Sequence, residues 1–509
     1  MLAGLFGKKS DHPLASLKSA QQVLADVPKA DALKALQELT GWVESLRDHE
    51  GEFKLDHQVA VLRLLDEAAQ PHVRKLLRDY FSLQPLNKFQ ENRTWAALND
   101  FFTLSEQSYT NILARCRKGD RNLSAIKPQL ALLAARGIAA ATNRLKLAAV
   151  RYALIDPTLW AHLAEIYSYA EAQSFLDESL ALYPGTGINT SVGREFAAVM
   201  VWFAVGTGSL PSLHLHIAER LIAYLNKYLT VGTQAVAGSQ WVMNLVQPTP
   251  PMRANTDTTI HPSLRFVGIG EAEGAFNDLL KSLEKGIVPQ DINLGGSVYE
   301  AELLRDVARQ LVARFVLPPP ARRNARHKIK VNLHVANGFF KLVENADIGL
   351  NLSSEPNEIW EVEDISATGF RSVTTASTLG SVKIGSLIGS KPENVGSWGV
   401  GIVRRLSRDA QNNLHVGVEI LANQVVGVSL GARDHSDAGE DNLALYLNKP
   451  NDNSGEAWLL MKPGAFLANR SFNMAIGDKT YLLLPLGLVE SGEDYDLARY
   501  RKMEQDTSE

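Results

Sequence analysis

The sequence contains a single cysteine, Cys116, among 509 residues. One cysteine cannot form an internal disulfide, so the chain is not a disulfide-stapled secreted domain. The opening stretch MLAGLFGKKSDHPL has a short apolar run that is followed, not preceded, by its lysines. A secretory signal peptide has the opposite order. We therefore expect a cytoplasmic protein that works under reducing conditions.

The chain also lacks a strong excess of either charge. It has 52 Lys and Arg against 56 Asp and Glu, a formal net charge of −4. This balance argues against binding to nucleic acid or to a membrane surface by the chain as a whole. The segment from Phe196 to Ala218 has no charged side chain and is long enough to cross a bilayer, but the turn-rich GTGSLPS interrupts it. We predict two helices joined by a turn, and no membrane span.

Length and periodicity indicate a multidomain α plus β protein. About 150 residues per domain would give about three domains. We predict an α-helical array over residues 1–245, a small and mostly helical middle unit over 256–316, a β-barrel over 317–430 and a β-rich region with a charged tail over 431–509. The first segment repeats apolar residues at spacings of three and four, as in DALKALQELTGWVESLRDH. Arrays of this kind more often bind partners than catalyse reactions.

The period changes from 3.6 to 2 after the three prolines at 318–320, which cannot continue a helix. In KIKVNLHV, Ile329, Val331, Leu333 and Val335 alternate with polar residues and are expected to face inward. Several short strand candidates follow at close spacing, which favours a small antiparallel barrel. Residues 431–509 either extend this barrel or form a separate β unit.

Two features near the barrel complement one kind of ligand. Residues 307–343 carry eight Lys and Arg and no Asp or Glu, a local positive field that favours an anion. Guanidinium groups match phosphate oxygens and the O6/N7 edge of guanine. In VEDISATGFRS, Asp364 can accept hydrogen bonds from the N1–H and N2–H groups of guanine, and Ser366 can add a hydroxyl contact. Gly369 is expected at a turn position that needs positive φ.

The spacing of these residues resembles that of the PilZ domain family, which has RxxxR before the barrel and D/NxSxxG on it. The matching stretches are RRNAR at 322–326 and DISATG at 364–369, separated by 37 residues that include an apparent insertion, NADIGLNLSSEPNE. The resemblance implies a six-stranded barrel that binds the second messenger cyclic di-GMP, often as an intercalated dimer. It implies that the arginines contact phosphates and guanine edges, that the acid and serine hold a guanine, and that the glycine permits the turn. The ligand-binding residues so implied are Arg322, Arg323, Arg326, Asp364, Ser366 and Gly369.

These observations favour a receptor, and we expect no catalytic residue, no metal and no cofactor apart from the ligand itself. A metal cluster or a general base near Asp364, which an enzyme acting on the nucleotide would need, is not visible in the sequence. We expect a protein partner for the helical region, with motility, pili or surface attachment as the pathways that the family suggests. Two alternatives stay open: a helical scaffold whose barrel no longer binds ligand, and a binder of single-stranded nucleic acid. A binder of single-stranded nucleic acid is expected to have exposed aromatic residues between its basic residues, and RRNARHKIK has none.

Three other motifs are interpreted as structural. FVGIGEAEGAF resembles a dinucleotide-binding glycine loop, but its spacing is GxGxxxG and its glutamates would repel a pyrophosphate, so we predict a turn before a helix. His214 and His216 are two residues apart and do not share a helix face. We therefore interpret them as partly buried helix residues. Cys116 lies in ARCRKGD, whose positive charges are expected to lower its pKa, but no partner base for a catalytic thiol is identifiable.

Overall fold

A computed structural model describes residues 11–84, 86–120, 122–185, 189–204, 206–235, 239–254, 261–293, 298–315, 325–346, 357–374, 382–432, 443–448 and 455–505. The chain divides into two compact units. The helical unit comprises Met1–Arg151, Ile155–Thr207 and Ser212–Pro319, and the barrel unit comprises Tyr152–Leu154, Gly208–Pro211 and Pro320–Glu509. The domain boundaries proposed from the sequence stay predictions.

The helical unit contains eleven α-helices within its described residues. They are α1 (Leu17–Asp26), α2 (Ala32–Asp48), α3 (Leu55–Tyr80), α4 (Lys88–Arg117), α5 (Leu123–Ile126), α6 (Leu130–Ala149), α7 (Thr158–Ala172), α8 (Val192–Ala204), α9 (Ser212–Leu225), α10 (Ala272–Glu284) and α11 (Ala301–Phe315).

Helix α2 illustrates why these segments are helical. Leu36, Leu39 and Val43 recur at spacings of three and four, and all three are buried. Asp31 stands at the N-cap, and its carboxylate accepts hydrogen bonds from two backbone amides of the first turn, each at 3.1 Å. Such a cap satisfies amide groups that have no partner within the helix. The apolar face then packs on neighbouring helices, which is the main source of stability for a helix of this length.

The uncharged segment over residues 196–218 forms two helices, as predicted. It spans most of α8, a turn and the first half of α9. Trp202 is fully buried, and its indole N–H donates to the backbone carbonyl of Leu215 at 3.0 Å. Within the described residues, none of the helices has the length and hydropathy needed to cross a bilayer.

A small sheet completes the helical unit. Its strands are β1 (Thr230–Gly232), β2 (Ser239–Asn244), β3 (Met252–Arg253) and β4 (Leu264–Gly268), antiparallel in the order β1-β4-β2-β3. Strand β4 is the apolar stretch that precedes the middle helices, and Phe266 and Val267 are buried. Strands β1 and β2 fall within residues 1–245, the segment predicted to be an α-helical array, so part of that segment is extended and not helical. Their Thr, Val and Trp residues, separated by glycine, favour extended backbone over helix.

The first barrel is closed and six-stranded, which confirms the predicted fold class. Its strands are β5 (His327–Asn337), β6 (Glu358–Ser366), β7 (Gly369–Thr374), β8 (Leu387–Pro392), β9 (Gly399–Arg408) and β10 (Leu414–Ala422). They run antiparallel in the order β10-β7-β6-β5-β8-β9, and pairing of β9 with β10 closes the barrel. Trp360, Val403 and Val416 fill its interior and are fully buried.

Strand β5 departs from the predicted alternation at Val331. Leu333 and Val335 are buried as expected, and Ile329 packs partly against the interior, but 41% of Val331 is exposed. The pairing of β5 with β6 shifts between Lys328 and Val331, where β5 carries an extra residue. An extra residue in one strand breaks the two-residue alternation of its side chains. The prediction that Val331 faces inward is therefore wrong.

The last region forms a second closed barrel, which settles the alternative left open by the sequence. Its strands are β11 (Gln424–Ala432), β12 (Leu443–Asn448), β13 (Glu456–Met461), β14 (Phe472–Ile476), β15 (Lys479–Ser491) and β16 (Asp496–Gln505). Their order is β11-β12-β13-β16-β15-β14, all antiparallel. Strand β11 lies mostly within the segment 317–430 but pairs only within this second barrel among the described strands.

The two barrels share one apolar core. Helix α12 (Phe339–Ala346) follows β5, and its buried Leu342 belongs to a cluster that includes Ile402 of the first barrel and Leu445 of the second. An ion pair also joins the barrels: the guanidinium of Arg404 on β9 donates two hydrogen bonds to the carboxylate of Glu490 on β15, each 2.7 Å long. A forked pair of this kind fixes orientation as well as adding energy.

Candidate functional site

The two halves of the sequence pattern meet on the first barrel. Nη1 of Arg326, just before β5, donates a hydrogen bond of 2.7 Å to Oδ1 of Asp364 on β6. Fractional exposure of the two side chains is 47% and 20%, respectively, so both remain accessible to a ligand. The guanidinium and carboxylate that we predicted to hold one ligand therefore lie at one point on the surface.

Asp364 belongs to a row of residues that crosses neighbouring strands. Strand pairing places Asp364 opposite Lys328 on one side and Arg371 on the other. Arg371 in turn lies opposite Gly417, which lies opposite Arg405. Directly opposite residues of antiparallel strands project from the same face. Since Lys328, Arg371 and Arg405 are all exposed, they form a basic row on the outside of the barrel.

Acidic and imidazole groups hold one member of the basic row in position. Nε of Arg371 lies 2.8 Å from Oε2 of Glu363. The same carboxylate contacts Nδ1 of His415 at 3.0 Å, and Nε2 of that imidazole lies 3.2 Å from Oδ2 of Asp409. A side chain that is already restrained loses less conformational entropy when a ligand binds.

Ser366 closes the hairpin between β6 and β7. Its hydroxyl donates to the backbone carbonyl oxygen of Gly369 at 3.1 Å, and the two residues also pair across the strands. The hydroxyl oxygen retains acceptor capacity in this arrangement. Ser366 therefore fixes the end of the strand that carries Asp364, two residues away.

Gly369 is required for a different reason from the one predicted. It does not have positive φ; a Cβ at this position would lie 2.5 Å from the carbonyl oxygen of Val418 on β10. A glycine within a strand often marks a place where the backbone of another strand comes so close that a side chain would not fit. The expectation of a left-handed turn residue is therefore wrong, and the glycine instead allows β10 to pack against β7.

Substituting Gly369 tests this close approach. We expect Gly369→Ala to lower the free energy of unfolding by about 2 kcal/mol, because the added methyl group must displace backbone instead of a flexible side chain. Urea denaturation of the full chain measures the effect. Gly487→Ala is the matched control, since a Cβ added to Gly487 on β15 would have no atom within 4 Å and the residue has no positive φ. Equal effects of the two substitutions would contradict the role given to Gly369.

Part of the predicted site lies outside the described residues. Arg322 and Arg323 belong to this part, as does most of the proposed insertion over residues 345–358. The described part brings Arg326, Asp364, Ser366 and Gly369 onto the first barrel, within or next to β5, β6 and β7.

Sequence reasoning missed the basic row. The position of Arg371 could have been predicted, because it follows Gly369 by two residues in a strand and so projects from the same face. The position of Arg405 could not have been predicted, since only the strand order places β9 beside β10 and β10 beside β7.

Two other motifs have structural roles. Cys116 is buried, and burial, with nearby Asp120, raises the pKa of its thiol to about 11, so the expected lowering is wrong. In FVGIGEAEGAF, Gly270 has a φ of 48° and α10 begins at Ala272, which confirms a turn before a helix.

One comparison with known proteins finds a similar family. Residues 18–235 match a family model described as the N-terminal domain of the cyclic-di-GMP receptor FimW. No curated protein matches the chain. The match covers the helices from α1 to α9 and the first strand of the small sheet. The described family is one of cyclic-di-GMP receptors, which is a binding role. Residues 18–235 are therefore similar to the N-terminal domains of such receptors.

Proposed function

We propose that the first barrel of this protein binds cyclic di-GMP and that binding regulates a partner of the helical unit. The ligand-binding residues in this proposal are Arg322, Arg323, Arg326, Asp364, Ser366 and Gly369. The observation that carries it is the 2.7 Å contact between Arg326 and Asp364, which joins two sequence features that complement the same ligand. The family matched by residues 18–235 supports the same ligand independently of the barrel.

The chemistry of the surface suits both parts of the ligand. The carboxylate of Asp364 accepts hydrogen bonds from guanine N1–H and N2–H, and guanidinium groups donate to O6, N7 and phosphate oxygens. The basic row adds Lys328, Arg371 and Arg405 on the same outer face, a positive surface suited to the two phosphates of the ligand.

We infer a signalling step from the contact between Arg326 and Asp364, in which the guanidinium occupies one oxygen of the carboxylate. A guanine that takes this carboxylate as its acceptor releases Arg326 to the ligand and draws the basic segment with it. A ligand shifts a conformational equilibrium only by its differential affinity for the two states, and this exchange of partners supplies one. The segment leads directly into the helical unit in sequence, whose partner in the cytoplasm would belong to motility, pili or surface attachment.

Isothermal titration of the full chain with cyclic di-GMP tests the proposal, with GTP and cyclic di-AMP as controls. We expect saturable binding of cyclic di-GMP alone. Arg326→Ala should weaken it by at least about tenfold, since a hydrogen bond to a charged group contributes ~1.5–3 kcal/mol. Arg309→Ala is the matched control, because Arg309 is about as exposed as Arg326 and forms an ion pair with Glu284 in the helical unit. Absence of binding by the folded chain would leave the helical scaffold as the better function.

A further inference from the structure

The helical unit encloses a cavity of about 230 Å³. We call it the helical cavity. Its lining includes Asp66, Ser105, Tyr109, Tyr183, Glu195 and Glu219. The cavity is smaller than the ~300–1,000 Å³ of sites that take drug-sized ligands, so a whole cyclic dinucleotide does not fit. It is therefore a site separate from the one on the first barrel.

Two of the three carboxylates among the described lining residues of the helical cavity already have a cation. Oδ2 of Asp66 lies 3.5 Å from Nη1 of Arg136 and accepts a 2.5 Å hydrogen bond from the hydroxyl of Tyr109. The carboxylate of Glu219 forms an ion pair with Nζ of Lys146. The side chains of Arg136 and Lys146 are almost fully buried, so these pairs belong to the permanent structure.

Glu195 differs from the other two carboxylates. Its Oε1 accepts a 2.6 Å hydrogen bond from the hydroxyl of Thr190, and no cation lies within ion-pair distance in the part of the chain that the structure describes. Burial, and to a lesser extent the neighbouring Glu219, raise the pKa of Glu195 to about 7. A cation entering the helical cavity would relieve both effects, because it compensates lost hydration and the repulsion between the two carboxylates.

An independent observation points to the same space. Ser105, on α4, is 2% exposed, and its hydroxyl has no hydrogen-bond partner within the described structure, although it lines the helical cavity. A buried hydroxyl without a partner costs free energy. Such a group becomes satisfied when a ligand that can form a hydrogen bond enters.

Aromatic rings complete the walls. Phe101, Phe102, Tyr109 and Tyr183 line the helical cavity, and the faces of such rings attract ammonium and guanidinium groups. Among the described lining residues one is basic, Arg74, and its side chain is exposed. Solvent therefore screens its repulsion of an entering cation.

We propose that the helical cavity binds an organic cation, either an arginine or lysine side chain of a partner protein or a small free amine. Glu195 is its counter-charge, the hydroxyl of Ser105 is an additional acceptor, and the aromatic walls enclose its apolar part. The volume equals that of roughly seven or eight water molecules at ~30 Å³ each, enough for a guanidinium or ammonium group with a short carbon chain.

Titration calorimetry of the full chain tests the proposal with three probes. Blocked arginine represents a partner's side chain, agmatine represents a free amine, and blocked citrulline is the neutral analogue. We expect at least one cation to bind with a Kd of about 1 mM or tighter. Tighter binding of blocked arginine would assign the site to a partner's side chain, and tighter binding of agmatine would assign it to a free amine.

Three variants locate the binding. Glu195→Gln should weaken it by about tenfold or more and Ser105→Ala by about threefold, following the contributions of charged and neutral hydrogen bonds. Glu178→Gln, which changes an exposed glutamate of the same unit, should have no effect. Equal binding of citrulline, unchanged binding by both cavity variants, or no binding of either cation would overturn the proposal. None of these outcomes depends on cyclic di-GMP, whose titration tests the barrel separately.

The pH dependence of agmatine binding adds a second readout. Because the pKa of Glu195 is about 7, its ionised fraction rises about tenfold between pH 6 and pH 8, and affinity should rise in parallel. The other titratable and charged groups around it are Asp66, Arg74, Tyr109, Arg136, Lys146, Tyr183, His216 and Glu219. Burial lowers the pKa of His216 and raises the pKa values of Tyr109 and Tyr183 well away from this range, and Asp66, whose pKa burial also raises, is present in both proteins compared. Glu195→Gln should therefore flatten the profile, and an unchanged profile in this variant would contradict the assignment of Glu195.

Discussion

Asp364→Ala is expected to weaken binding of cyclic di-GMP by about 100-fold. The carboxylate supplies two charge-assisted hydrogen bonds to one guanine in our proposal, and each such bond contributes ~1.5–3 kcal/mol. The loss is larger than for Arg326→Ala, because other basic groups on the same face partly replace one guanidinium. Isothermal titration at fixed salt measures both variants, and salt must be held constant because phosphate contacts are screened.

Asp364→Asn separates the chemistry of the side chain from its position. The amide oxygen of Asn still accepts one hydrogen bond from guanine, and the PilZ family pattern D/NxSxxG has either Asp or Asn at this position. We therefore expect a loss of about tenfold or more that is still smaller than the loss for Asp364→Ala. A loss as large as that of the alanine variant would show that charge alone matters. If Asp364→Ala binds like the wild type, guanine is not held at this carboxylate and the proposed site is wrong.

The second large effect concerns the stability of the helical unit. Arg136→Met should lower the free energy of unfolding by about 3–5 kcal/mol at neutral pH, because breaking a buried ion pair leaves an uncompensated charge. Arg136 is 1% exposed, contacts the carboxylates of Asp66 and Glu67, and donates from Nε to the carbonyl oxygen of Leu182 at 2.8 Å. Urea denaturation followed by helical circular dichroism measures the change.

The pH dependence of this variant identifies the cause. Burial already raises the pKa of Asp66, and removing Arg136 raises it further. A carboxyl with a raised folded-state pKa contributes stability below its unfolded pKa and loses it as pH rises through the folded pKa. The deficit of Arg136→Met should therefore shrink as pH falls. Adding Asp66→Asn should recover part of the loss, and an equal deficit in the double variant would mean that lost packing, not charge, is responsible.

The sequence predicted the architecture better than its details, for physical reasons. Apolar periodicity identifies amphipathic helices and half-buried strands because one face of each must be buried. It therefore placed the helices of residues 196–218 and a small antiparallel barrel correctly, whereas the expected number of six strands came from the resemblance to the PilZ family. It did not predict that Val331 would be exposed, because the bulge that turns this side chain outward depends on the register between β5 and β6.

The candidate site shows the same division between local and distant information. The spacing of residues within 364–369 and 322–326 is local and could be recognised in the sequence. The structural reason for a glycine at position 369 could not be predicted, since the carbonyl oxygen of Val418 that excludes a side chain comes from a strand distant in sequence. The helical cavity was equally invisible, because Asp66, Glu195 and Glu219 converge only through helix packing.

The core shared by the two barrels has a thermodynamic consequence. Leu342, Ile402 and Leu445 belong to one cluster, so neither barrel can unfold without exposing the apolar surface of the other. A ligand that binds only the native state stabilises everything that unfolds with its site. Occupancy of the first barrel should therefore protect the second barrel from proteases, although its strands contribute no residue to the proposed site. Cellular ligand concentration would in this way influence the lifetime of the protein as well as its activity.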